Sequence, residues 1–180
     1  EQERANPVGG IYHQWEENLS FNSHLHYSFE FLYVFDGIFE LTVDEVDYKL
    51  NKGEAIIIFP NQIHTAYANQ RSITYVCIFE NSLVGEFYRS VKNCVPTSPV
   101  FSVESSLVER LASEENSRYF VKSCIYELIA LFDKGTEYIE RRSKSSEHIG
   151  RILTFIAEHH AEQISMRDVA NMWRSFAVND

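Results

Sequence analysis

From Gly10 to about Phe79, short apolar or aromatic runs alternate with turn residues at close spacing. The runs are IYHQW, FEFLYVF, IFELTV, VDYKL, AIIIF and ITYVCIF, and their length and spacing predict the strands of an all-β barrel or sandwich. Between them stand Asp36-Gly37, Asp44-Glu45, Asn51-Lys52-Gly53 and Asn69-Gln70-Arg71-Ser72, all residue types that favour turns. Asp44-Glu45 is the weakest of these, because a two-residue hairpin turn favours glycine in its second place.

The period changes after VPTSPVF (residues 95–101), a proline-punctuated stretch that reads as a linker. From Ser102 onward the apolar spacing is helical. Val121, Ile125, Leu128, Phe132 and Ile139 fall on one seam, with Gly135 occupying a seam position between the last two. Phe120, Cys124, Ile129 and Leu131 widen that stripe beyond what one neighbour needs. Such a helix packs on the barrel with one side and on a partner subunit with the other, or else sinks into its own domain's core. A last segment opens at Ser145-Ser146, with Ile149, Ile152, Leu153 and Ile156 marking its buried face. Near Gln163 it gives way to a tight turn. Ser165 then caps a helix starting at Met166, Asp168 returns the capping bond, and Ile164 packs on Val169.

The stretch HLHYSFEFLYVFDG (residues 24–37) carries the candidate chemistry. If this strand is continuous, His24, His26, Ser28 and Glu30 share one face, with Leu32 and Val34 following them inward. Phe29, Phe31, Tyr33 and Phe35 then line the opposite face and need cover, which the later helices can give. His64 lies four residues beyond Pro60, which halts the run AIIIF, and two hairpins can bring it opposite the first cluster. Three imidazoles and a carboxylate suit a divalent transition metal such as Zn, Fe, Mn, Ni or Co, with positions left for water or a ligand. The same four groups also suit the lining of an organic-ligand pocket that holds no ion, and the residues leave both readings open. His13 sits on the first strand and faces the pocket or water, while His148, His159 and His160 lie on helical segments as solvated side chains.

Composition narrows the class. The chain has 180 residues, 44% of them hydrophobic, enough to bury a core of one domain with a small appendage. It offers neither a signal segment nor an apolar run that spans a bilayer, which places it in the cytoplasm with no membrane partner. Its three cysteines share no metal-binding spacing and are expected to be reduced and mostly buried. A net charge of −10 argues against a surface that attracts nucleic acid everywhere, and the acidic excess lies in the first part of the chain rather than in residues 141–180. No phosphate loop, nucleophile elbow or HExxH helix is present, so no catalytic residue is assigned and the chain is expected not to be an enzyme.

The order H-x-H-x-x-x-E followed by Gly37 resembles the first cupin motif, and Gly53, Pro60 and His64 resemble the second. The second motif departs from the family pattern. Gln62 stands where a glycine is usual, the proline-to-histidine spacing is one residue short, and Ala68 falls where an asparagine is expected. These departures are similar to those of the sensor cupins joined to AraC/XylS-type transcription regulators. The following helical hairpin and IGRILTFIAEHHAEQISMRDVANMW extend that resemblance from Gly10 to Met172.

The resemblance implies an all-β cupin, a double-stranded β-helix barrel, followed by an α-helical hairpin and a partial helix-turn-helix. The expected organisation is a ligand-sensing barrel over residues 1–101, a dimerisation hairpin over 102–144 and the start of a DNA-binding domain over 145–180. A small-molecule effector, a sugar or another metabolite, is expected to bind beside His24, His26, Glu30 and His64 and to bias how a homodimer presents its DNA-binding parts. Val121, Ile125, Leu128 and Phe132 are the expected dimerisation residues. After Val169-Ala170 the sequence runs MWRSFAVND without a recognition helix, so DNA-contacting residues are not assigned and DNA binding is expected only of a longer form. No cofactor is required by this reading, although the four-residue cluster remains open to Zn, Fe, Mn or Ni. A metal-dependent cupin isomerase or dioxygenase is the competing class.

Overall fold

The computed structural model describes residues 10–113 and 117–141, with Ser165 and Arg167 besides. The chain divides into two compact units, Glu1–Arg141 and Arg142–Asp180. The final helices expected after Ser145, with the turn before Met166, lie outside the described residues.

Strands β1 (Ile11–Glu17), β3 (Phe29–Val43), β4 (Val46–Asn51), β5 (Glu54–Ile58) and β7 (Ser72–Phe79) follow the apolar runs of the sequence, β3 joining two of them, whereas β2 (Phe21–His24) and β6 (His64–Ala66) correspond to none. One layer runs β1-β7-β3-β5 and ends on β9 (Val100–Ser102); β4, β6 and β2 build the other around the second half of β3, and every pairing is antiparallel. Asp36-Gly37 is not a turn. The chain passes through it as one strand, with the β3–β7 register shifting between Val34 and Asp36. Gly37 adopts φ +80°, and a Cβ there would collide with the Arg71 carbonyl oxygen, so only glycine serves at this bulge. Asp44-Glu45, the weakest turn signal, does close a two-residue hairpin, with both residues at positive φ (46° and 69°) and no glycine.

The bulge changes which parity faces inward. Before it Leu32 and Val34 point into the barrel; after it Phe39, Leu41 and Val43 do, joined by Leu50, Ile56, Ile58, Val76 and Ile78. Phe29, Phe31 and Tyr33 lie on the outer face with Ile57, Tyr75 and Cys77, under the helices, as their parity predicts. Phe35 escapes that cover. It is 37% exposed and packs edge-on against Trp15.

Helix α1 (Gly85–Val91), which has no counterpart in the sequence reading, adds Phe87 and Val91 to the outer core. Helices α2 (Ser105–Ala112) and α3 (Arg118–Gly135) close it with Leu107, Val108 and Leu111 from one and Val121, Cys124, Ile125, Leu128, Ile129 and Phe132 from the other. The boundary expected at residue 101 therefore does not separate two cores. Ser117 caps α3 by accepting from the Phe120 amide. The expectation that Val121, Ile125, Leu128 and Phe132 form a dimer seam is corrected: all four are buried inside this subunit's own core and offer a partner no surface. Tyr119, Phe120, Tyr126 and Leu131 are the exposed apolar side chains of α3.

Two further expectations change. The segment 95–101 is not a linker, because β8 (Cys94–Pro96) and β9 occupy most of it, and β9 pairs with β5 in the main sheet. Helix α3 stops at Gly135, so Ile139 leaves the seam for β10 (Tyr138–Glu140), which pairs with β8. Among the described residues no helix is long and apolar enough to cross a membrane. The cysteines are free, with Cys77 and Cys124 buried.

Candidate functional site

His24, His26, Glu30 and His64 come together, although not by the continuous strand that parity alone suggested. His24 ends β2, His26 lies in the connection from β2 to β3, Glu30 is the second residue of β3 and His64 opens β6. His24 and His64 are direct partners across the β2–β6 ladder, their rings 4.3 Å apart. The inward parity of Glu30 carries its carboxylate to the same place. One potential ligand atom from each of the four residues falls within 4.8 Å of the others.

Glu30 is fully buried, His64 nearly so, and the His26 side chain is 23% exposed, so the cluster reaches solvent past His26 and His24. Glu30 Oε2 lies 2.9 Å from His26 Nε2 and 3.1 Å from His64 Nε2. Burial alone would raise the Glu30 pKa, but hydrogen bonds from the two imidazoles outweigh it and hold the carboxyl well below the usual range. The His24 pKa is lowered, chiefly because burial strips water from its charged form.

The far side of each ring sets the chemistry. His24 Nδ1 meets Asn22 O at 2.8 Å, His26 Nδ1 meets Ser28 O at 2.9 Å, and His64 Nδ1 meets Gln62 O at 2.9 Å. A carbonyl oxygen only accepts, so each Nδ1 carries the proton and donates it. Each neutral imidazole is then left with its Nε2 lone pair as the ligating atom. Without an ion, the His26 and His64 contacts to Glu30 need a second proton on each ring. With a divalent cation, lone pairs on the same rings serve as ligands, and the backbone acceptors are the outer partners that orient metal-bound histidines. The donor set therefore fits a divalent transition metal, which the three imidazoles and Glu30 would hold.

Residues that the sequence reading did not weigh as site residues hold this geometry. Phe21 stands edge-on to both His24 and His64. Gln62, noted only as a departure from the cupin pattern, accepts from the Phe59 amide and donates to Asp44 Oδ2, while its own carbonyl orients His64. Asp44 Oδ1 accepts from the Ile63 amide, and the Asp44 amide donates to Ile63 O. The Asp44 carboxylate and its positive φ thus have a common purpose, pinning the loop before His64. Nothing in the sequence pattern pointed to Asp44 except that a hairpin turned there without glycine. His13 faces neither the cluster nor the barrel interior; its ring is 6.0 Å from that of Tyr75, on the outer face of β7.

Comparison with known proteins bears on the fold that carries this site. Residues 12–79 match the family model described as a cupin domain, and the antiparallel barrel has that fold. Two crystal structures of ToxT from Vibrio cholerae, one of them an apo lysine-to-alanine variant, superpose with TM-scores of 0.56 and 0.60 at 12% and 13% identity. They cover 92% and 95% of this chain and 71% and 72% of theirs. A third, of ToxT bound to (E)-4-(8-methylnaphthalen-1-yl)but-3-enoic acid, has a TM-score of 0.52 at 12% identity, covering 92% of this chain and 72% of that one. At such identity the likeness is one of fold. No curated protein matches the chain by sequence.

Proposed function

We propose that the chain is the effector-sensing part of an AraC-type transcription regulator, in which a small molecule bound at His24, His26, Glu30 and His64 modulates DNA binding by a longer form. The observation that carries this reading is the convergence of four donor groups at a partly open end of the barrel. The fold likeness to ToxT, an AraC-family regulator with a cupin domain, supports it over more than nine-tenths of the chain. ToxT holds a small carboxylic acid in one of its structures.

The inward positions beyond the cluster are occupied by Leu32, Val34, Phe39, Leu41 and their neighbours, so the effector binds among the histidines at the mouth rather than deep in the barrel. Those donors favour a ligand with hydroxyl or carboxylate oxygens, such as a sugar or an organic acid, taken directly or through a divalent ion. Such an ion would be held by His24, His26, His64 and Glu30, and would supply a Lewis-acidic centre for an oxygen donor. Cytoplasmic location and homodimerisation belong to the same proposal. A dimer would have to use surfaces other than the buried seam, and Tyr119, Phe120, Tyr126 and Leu131 are the apolar groups α3 leaves for it.

Calorimetric screening of sugars and organic acids, with and without Zn, Mn or Ni, tests the proposal. Binding that is lost in His64→Ala supports it; no binding under either condition overturns it. The second reading, a metal-dependent cupin enzyme, draws on the fit of the donor set to a metal. Stoichiometric metal in the purified protein together with turnover of a bound substrate, both lost in His26→Ala, would favour that class over the sensor.

A further inference from the structure

The last residue of the first unit makes a contact that ties it to the site. Arg141 follows β10, and its amide donates to Asn93 O at 2.9 Å. Its side chain turns inward, only 15% exposed, and Nη1 donates to Pro60 O at 3.3 Å. Nη2 lies 3.8 Å from Asp44 Oδ2. Nε and Nη2 are buried without a hydrogen-bond acceptor, although together they form the guanidinium edge that takes a carboxylate in two parallel bonds. Burial lowers the Arg141 pKa against the opposing pull of Asp44. A largely buried guanidinium with one long hydrogen bond and one loose ion pair is under-satisfied, and its partners are Pro60, at the start of the loop before His64, and Asp44, which pins that loop.

We propose that Arg141 is a clamp that couples the His64 loop to the strand from which the chain leaves the sensing unit. This rests on the reading of His24, His26, Glu30 and His64 as the sensing site and names how its state is passed on. The path consists of contacts already described. An occupant that shifts His64 moves Gln62 O through Nδ1, and Gln62 and Ile63 both lean on Asp44. Asp44 faces the unfilled Nε/Nη2 edge of Arg141, and that edge gives the pair room to tighten or part as the loop moves. Because Arg141 bonds Asn93 and immediately follows the β8–β10 ribbon, its displacement falls on the end of that ribbon. Arg141 is a positioning residue and does not touch the ligand.

Amide hydrogen exchange on the 180-residue chain, read residue by residue, tests the clamp without any ligand. Arg141→Gln should speed exchange at Asp44, Asn61 and Ile63 by at least about fivefold, the lower end of ordinary coupling between sites. Amides of Phe31 and Val76 in the central strands should stay at the wild-type rate. Asp44→Asn should speed exchange at Arg141, and the double variant should add nothing beyond the larger single effect. Arg141→Lys, which keeps the charge and loses the fork, should fall between wild type and Arg141→Gln. Loop amides within twofold of wild type in Arg141→Gln, or fully additive effects in the double variant, overturn the clamp. Zinc supplies the second arm: if calorimetry shows binding, exchange at Arg141 should change in the wild type and not in Asp44→Asn, and an unresponsive Arg141 overturns the coupling. If zinc does not bind, the metal-occupied reading of the site fails while the ligand-free arm still decides the clamp.

Discussion

His24 faces His64 across the β2–β6 ladder with their rings 4.3 Å apart, so two residues far separated in sequence enter the site as cross-strand neighbours. Cross-strand placement fixes their spacing by backbone pairing rather than by flexible loops. With Nδ1 of each ring committed to a carbonyl, Nε2 is the atom each would turn to an ion. Chelator-stripped protein is expected to bind zinc with one-to-one stoichiometry by calorimetry. His64→Ala should weaken that binding by more than about 100-fold, beyond the loss usual for an outer-shell partner.

Glu30 sets the acid response of the fold. Its carboxyl titrates below its ordinary value of 4.5 because His26 and His64 donate to it. A depressed carboxyl contributes stability that is complete above the unfolded-state value and is lost as pH falls below it. Urea midpoints should therefore drop below about pH 4.5 in the wild type, and Glu30→Gln should flatten that part of the curve. Glu30→Ala, which leaves the buried His64 and the partly exposed His26 without their acceptor, should cost about 3 kcal/mol or more at pH 7 by urea unfolding. His24, lowered from 6.5 mainly by burial, acts in the same direction: the folded chain holds that proton less tightly than the unfolded chain. Stability from His24 is thus present above 6.5 and declines below it, a component that His24→Asn should remove.

Backbone conformation gives a pair of opposite expectations. Gly37→Ala must place a methyl group against the Arg71 carbonyl at φ +80° and should destabilise by about 2–4 kcal/mol in urea unfolding. Glu45 sits at φ 69° with no hydrogen-bonding task assigned to its side chain, so Glu45→Gly should stabilise by about 0.5–1 kcal/mol. Asp44→Gly relieves the same backbone strain but removes the acceptor of Ile63 and Gln62, and should not stabilise.

Helix α3 separates packing from association. Ile125→Ala or Phe132→Ala should cost about 2–5 kcal/mol, since each side chain is fully buried in the subunit core. Tyr119→Ser and Leu131→Ser should leave the melting midpoint almost unchanged. If the exposed face of α3 mediates self-association, these two variants should shift sedimentation toward the monomer.

The strands and the four clustered side chains were legible because period-two patterning survives wherever one face is buried. What the pattern could not carry was the bulge at Val34–Asp36: a single unpaired residue reverses parity, turns Asp36-Gly37 from a turn into a strand interior, and leaves Phe35 in solvent. Proline misled the reading of residues 95–101, since Pro96 ends one short strand and Pro99 precedes another at the sheet edge. The α3 seam was read with the right residues but between two neighbours, because an apolar stripe records that it is covered and not by what. Ile139 kept the helical spacing by coincidence after the helix had ended. Convergence of the histidines survived a false premise: the strand breaks between His24 and Phe29, and cross-strand pairing with His64 accomplished what continuity had been expected to do.

β3 runs unbroken from Phe29 to Val43, carrying Glu30 near one end and pairing Val43 with His64 at the other. The acid and the histidine it contacts are therefore fastened to a single rail. Spreading them apart would bend that rail, and its register shift beside Gly37 lies between the two ends.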